Sequence, residues 1–313
     1  MSHQWIVDLD EDDAFPSNSP VFNYPTADVI IRSSDNVHFR VHKIILSLAS
    51  PVFADMFDLG KDCDQQVDGL PIIPMLEDFE TAKVIEALFR LSYPIADPPL
   101  DTVADWYPVL RGAKKYMMEE AVKSLQSKLT GLSIKEPVRA FAVAASLQLE
   151  KETKDAAKHS LRLPFPSGRD EVELELISGR TYQRLLEFRN RCTVRVRNLT
   201  RDDSWVDRRT WPFFQRCPHC GQVVNESDNR LVASWWREYM MLSESALERS
   251  ISEAVALADD VLWPPTSMAA VCSQCKTSAL TDLKRFSIKR FRRAWATQVD
   301  LVISEEVANT TFF

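Results

Sequence analysis

Between residues 27 and 130 the apolar positions change period. Val29, Ile30 and Ile31 form a β-branched run. After the polar turn Ser33-Ser34-Asp35-Asn36, the apolar Val37, Phe39 and Val41 alternate with His38, Arg40 and His42. A period of two beside a polar turn predicts a β-hairpin. Further on the period lengthens: Ile45, Leu48, Ala49, Val52, Phe53, Met56 and Phe57 recur at three and four, as on one face of a helix. Ser50-Pro51 interrupts that stripe. Ser can cap a helix and Pro can occupy its first position, so one short helix runs into another. Residues 70–75 predict a third strand. Pro71 and Pro74 cannot donate to a ladder, which places the strand at a sheet edge.

Helices follow. Asp78 can cap one that runs to about Leu91 and turns Val84, Ile85, Leu88 and Phe89 inward. Asp101 can cap the next, through Val103, Trp106, Leu110, Ala113 and Met117, with Pro108 and Gly112 inside to weaken or kink it. Residues 119–129 carry Ala121, Val122, Leu125 and Leu129 on one face. Beyond Gly131 the strand signals mostly stop. Pro137 opens a helix with Val138, Phe141, Ala142, Ala145 and Leu149, and a more polar helix covers 150–161. After the break at Pro164, Pro166, Ser167 and Gly168, residues 172–191 predict one long helix carrying Leu176, Tyr182, Leu185, Leu186 and Phe188. Ahead of all this, the acidic Asp8, Asp10, Glu11, Asp12 and Asp13 and the linker-like Pro16-Ser17-Asn18-Ser19-Pro20 predict a flexible tail.

The expected organisation is therefore an acidic tail over 1–20, an α/β domain over 21–132, a helical connector over 133–205 and a helical module over 206–313. The fold class is α+β. No internal repeat is visible. The net charge of −7 gives the whole chain no electrostatic pull toward nucleic acid or anionic membrane. There is no apolar run of about 18 residues and no basic, apolar leader, so the expected setting is intracellular, cytoplasmic or nuclear, with reduced cysteines.

Three passages carry a resemblance. Ala27-Asp28-Val29-Ile30-Ile31, Phe39-Arg40-Val41-His42-Lys43-Ile44-Ile45-Leu46 and Ser50-Pro51-Val52-Phe53-Ala54-Asp55-Met56-Phe57 resemble the first strand, the strand-to-helix passage and the Ser-Pro-x-Phe-x-x-x-Phe helix of BTB/POZ domains. Leu88-Phe89-Arg90-Leu91-Ser92-Tyr93 fits the end of the following helix. The resemblance covers about residues 21–130 and is nearest the stand-alone type common in fungi. It implies a domain that self-associates as a homodimer and docks other proteins. Some members bring substrates to a cullin-type ubiquitin ligase. Those adaptors often carry an apolar-x-Glu signature after the Phe-containing helix, and Asp58-Leu59-Gly60-Lys61-Asp62-Cys63-Asp64 contains none. No propeller repeats follow.

Asp28 and His42 invite a catalytic reading, but without a placed nucleophile they make no triad. They read as structural groups near strand and helix ends. No phosphate loop, G-x-S-x-G elbow or H-E-x-x-H appears, so no catalytic residue is assigned and the chain reads as a non-enzyme. Cys217-Pro218-His219-Cys220 and Cys272-Ser273-Gln274-Cys275 are the strongest chemical feature. Two CxxC pairs can turn four thiolates toward one tetrahedral zinc, which predicts a structural site of Cys217, Cys220, Cys272 and Cys275. Residues 221–271 would then form an insertion, with Trp235, Trp236, Met240 and Leu242 on one helix and Leu247, Ile251, Ala254, Val255 and Ala258 on another. The competing reading is four reduced thiols. Cys63 and Cys192 have no CxxC mate. Lys284, Arg285, Lys289, Arg290, Arg292 and Arg293 crowd the last helix, interleaved with Leu283, Phe286, Phe291, Trp295 and Val299. Such a helix can bind nucleic acid or be a solvated face over a packed one, and the acidic chain favours the second. The leading expectation is a partner-binding protein. A cullin adaptor and a nuclear nucleic-acid-associated factor are the alternatives.

Overall fold

The computed structural model describes residues 17–59, 65–164, 171–202, 204–206, 223–224, 231–232, 234–258 and 287–313. The chain divides into two compact units, residues 1–132 and 133–313.

The first unit is built on a five-stranded sheet in the order β1-β3-β2-β5-β4. Its strands are β1 (Ser17–Asn23), β2 (Val29–Arg32), β3 (Val37–Val41), β4 (Gln66–Val67) and β5 (Leu70–Pro74). The expected hairpin is present: β2 and β3 are antiparallel, with Val29 opposite Val41 and Ile31 opposite Phe39. Central β2 buries Val29, Ile30 and Ile31 completely, as befits a strand covered on both faces. Two expectations fail here. Ser17 to Pro20 belong to β1, which runs parallel to β3 with Ser17 opposite Val37. Phe22 of β1 is fully buried against Phe39 and Phe89, so tertiary burial overrides a linker-like composition. Nor is β5 an edge: it pairs with β2 on one side and β4 on the other. The prolines are accommodated because the neighbouring amides do the pairing, Ile72 N–H to the Gln65 carbonyl and Met75 N–H to the Arg32 carbonyl. Asp68-Gly69, both at positive φ, form the tight β4–β5 turn.

Helices α1 (Lys43–Ala49) and α2 (Pro51–Leu59) follow β3, divided at Ser50-Pro51 as expected. The Ser50 hydroxyl accepts from Phe53 N–H at 3.0 Å and donates to the Tyr116 carbonyl. Helices α3 (Ala82–Arg90), α4 (Val103–Lys115) and α5 (Glu119–Lys135) come after the sheet. Asp78 and Asp101 cap neither α3 nor α4. The free Ala82 N–H of α3 is taken by Asp35 from the β2–β3 turn at 2.7 Å, and Thr102 caps α4 through Asp105 N–H. Met117 lies beyond α4, at positive φ. Pro108 and Gly112 lie within α4. An added Cβ at Gly112 would meet Leu88 Cδ1 at 2.8 Å, so glycine permits close contact between α3 and α4.

The second unit is mainly helical: α6 (Pro137–Ser146), α7 (Glu150–Ser160), a 3-10 turn at Val172–Leu176, α8 (Gly179–Arg201), α9 (Ser234–Arg249), α10 (Glu253–Ala256) and α11 (Ser287–Asn309), with a small hairpin of β6 (Val223–Val224) and β7 (Leu231–Val232). The single helix expected over 172–191 is instead two pieces. Ser178 accepts from Thr181 N–H at 3.1 Å, starting α8 at Gly179, and α8 then runs on to Arg201. The expected division at residue 205 is bridged by packing, because α8 lies against α9 and α11, and α7 also meets α11. Arg191 and Arg195 bond Glu306, Arg201 bonds Glu244, Trp205 stacks on Trp295, and Phe312 meets Phe141 and Phe188. Among the described residues, no helix is long and apolar enough to cross a membrane.

Candidate protein-interaction surface

The passage from β3 into α1 is held by three side chains. Asp28 Oδ1 accepts from Lys43 N–H at 2.7 Å, satisfying a free amide at the start of α1. The Tyr93 hydroxyl receives His42 N–H at 2.8 Å and lies 3.2 Å from His42 Nδ1, while Thr26 Oγ1 is 2.9 Å from His42 Nε2. Burial, foremost, pushes the Tyr93 phenol up to about 12, so it stays neutral near neutral pH. Asp28 and His42 thus act as fasteners for α1.

What they fix in place is an apolar helix face. The α1 stripe expected to turn inward is only partly inward. Leu46 is fully buried, but Leu48 is 82% exposed and Ile44 65% exposed. Ile44 and Leu48 lie four apart, on one face. The sequence reading missed Ile44 and placed Leu48 inside. The available signal was the run Ile44-Ile45-Leu46, three consecutive apolar residues that no helix can turn to one side. In α2 the expectation holds for Phe53 and Phe57, which are buried; Phe53 stacks on Tyr116 at 4.5 Å. An exposed apolar pair on an otherwise ordered helix is a surface suited to another protein.

Glu80 is fully buried. It accepts from Lys115 Nζ at 2.7 Å, from the Tyr116 hydroxyl and, through Oε2, from Glu77 N–H at 2.9 Å. Burial raises its pKa, and these bonds together outweigh it, so the carboxyl sits below its ordinary value. A buried carboxylate with three donors is a satisfied structural anchor rather than a free acid.

Cys217, Cys220, Cys272 and Cys275 lie outside the described residues, as do Lys284, Arg285, Leu283 and Phe286. Among the described residues no group of His, Cys, Asp or Glu is arranged to hold a metal. Cys192 is buried in α8, and burial pushes its thiol up to about 12, so it is an inert core residue. On α11 the expected inward face is present: Phe291, Trp295 and Val299 are buried, while Arg290 and Arg293 are exposed.

A family model described as BTB/POZ domain matches residues 21–132. No curated protein matches the chain.

Proposed function

We propose that the chain is a non-catalytic interaction protein whose first unit, matched over residues 21–132 by a BTB/POZ domain model, pairs with a second copy and docks partner proteins. The observation that carries the reading is the exposed Ile44–Leu48 face of α1 beside a rigid, fastened junction. Symmetric pairing is the commonest form of oligomer, and covering this face in a two-fold dimer removes both side chains from water. Light scattering coupled to size-exclusion chromatography tests it. At tens of micromolar the wild-type chain elutes as a dimer, and an Ile44→Glu/Leu48→Glu variant elutes as a folded monomer. A wild type that stays monomeric overturns the reading.

For the second unit we infer one structural zinc held by Cys217, Cys220, Cys272 and Cys275. The support is the paired CxxC spacing, together with the β6–β7 hairpin that begins at Val223, three residues after Cys220. A closed four-thiolate site leaves no position for substrate water, so its role is to hold the fold. Metal analysis of reduced protein is expected to find close to one zinc per chain, and a metal-free chain overturns it.

A further inference from the structure

Strand register puts three polar side chains in one row across the sheet of the first unit. Asn18 of β1 lies opposite His38 of β3, and His38 lies opposite Arg32 of β2. Pro74 of β5 ends the row. Directly opposed residues share a face, and adjacent strands lie about 4.8 Å apart, so one small ligand can meet all three side chains. Phe39, next to His38, points to the face where it meets Phe89 of α3. The row is therefore on the other face. The β1 register slips between Asn18 and Asn23, which keeps Asn18 in this row although Phe22 turns to Phe39.

The row holds donors and no acid. Among the described residues, the Arg32 guanidinium, the His38 imidazole and the Asn18 carboxamide have neither a hydrogen-bond partner nor an ion-pair partner. His38 is only 5% exposed, and a buried polar group left unpaired is costly. The charges that bear on it are those of Arg32 and Arg40, both cationic. Arg40, two residues along β3, is already held by Asp68 of the β4–β5 turn. Arg32 is the cation left over. The imidazole beside it can take a second positive charge once an anion offsets the repulsion. The row then offers two positive charges, the fork of Arg32, a ring N–H of His38 and the amide of Asn18. A phosphate monoester carries close to two negative charges near neutral pH and has three acceptor oxygens, enough to meet donors from three strands. A carboxylate has one charge and two oxygens.

We propose that Asn18, His38 and Arg32 form a binding site for a phosphate monoester, which lies across β1, β3 and β2. Arg32 supplies the bidentate contact, His38 donates from its protonated ring, and Asn18 closes the far end. Free phosphate and a phosphorylated side chain of a partner protein share this chemistry. The site uses no residue of the α1 pairing face and does not rest on pairing.

Proton NMR of the histidine rings in the full chain tests this. The chain has five histidines, and His38→Gln identifies the His38 signal. Inorganic phosphate, added at constant ionic strength against sodium chloride, is expected to shift that signal at millimolar concentration and to raise its titration midpoint. The His42 and His159 signals stay in place. Arg32→Gln, at a partly exposed position, weakens the response about tenfold or more, the loss expected for one charge-assisted bond. Asn18→Ala, at an exposed position, weakens it less. A glycine-flanked phosphoserine peptide then separates the sources. If it shifts the signal at lower concentration than inorganic phosphate, the ligand is a partner's side chain; if not, it is free phosphate. A His38 signal that ignores phosphate overturns the proposal. So does one that moves equally with acetate, or one whose response survives both substitutions unchanged.

Discussion

At the scale of single residues, the first unit holds groups whose protonation is coupled to folding. Burial, then the charges of Arg32 and Arg40, lower the pKa of His38, which pairs across the hairpin with Arg32. Glu80 is also depressed, because its hydrogen bonds outweigh burial. Both signs run the same way. A depressed folded-state pKa means that the unfolded chain takes up the proton first, so stability is whole above the ordinary pKa and falls as acid is added. For His38 the loss begins below about 6.5, and for Glu80 below about 4.5. Thermal melts across that range are expected to show two successive declines, with His38→Gln shrinking the first, to which His159, also lowered by burial, contributes the remainder. Glu80→Ala leaves the buried Tyr116 hydroxyl with only the weak acceptor Met75 Sδ and takes away the acceptor of the Glu77 amide, and is expected to cost about 2–3 kcal/mol in urea unfolding. One residue offers the opposite change. Gln148 ends α6 at φ +57° with Leu149 N–H bonded to the Ala144 carbonyl, a cap geometry that glycine adopts without strain. Gln148→Gly is expected to stabilise the second unit by about 0.5–1 kcal/mol.

At the scale of elements, the best-read features are those whose signal is local. The β2–β3 hairpin and the α1–α2 division were legible because period, turn residues and the Ser50-Pro51 cap lie within a few positions of one another. The elements that were misjudged depend on distant partners. Strand β1 exists because Phe22 finds Phe39 and Phe89; α3 starts where Asp35, 47 residues upstream, reaches Ala82. The pairing face was half legible: its apolar residues were visible, but α1 has only seven residues and buries only Leu46 fully, leaving Ile44 and Leu48 outside. The Ser50 cap, by contrast, does two jobs, closing α2 and reaching the Tyr116 carbonyl. Ser50→Ala is therefore expected to cost more than an ordinary cap, about 2 kcal/mol. A fall in the urea midpoint with an unchanged slope would identify lost stability rather than an altered unfolded state.

At the scale of the whole molecule, the two compact units carry separate cores, so each has its own stabilising contacts and its own sensitivities. Ser50→Ala acts on the first. The second relies on the clamp between α8 and its neighbours, where Glu306 joins Arg191 to Arg195 and Glu244 joins Arg197 to Arg201. Burial raises both carboxyls and the arginine hydrogen bonds pull them below their ordinary values; the guanidiniums are partly exposed, which limits Glu306→Ala to about 1 kcal/mol. The zinc inferred for Cys217, Cys220, Cys272 and Cys275 belongs to this unit by position in the chain. Calorimetry with and without a chelator then discriminates between the units. Removing the metal is expected to lower the transition that Glu306→Ala also lowers, and to leave unmoved the one that Ser50→Ala lowers. Metal binding to folded protein adds directly to its stability, so a chelator that shifts neither transition would mean that the four thiols hold no ion, and one that shifts the Ser50-sensitive transition would mean that the two units do not unfold independently.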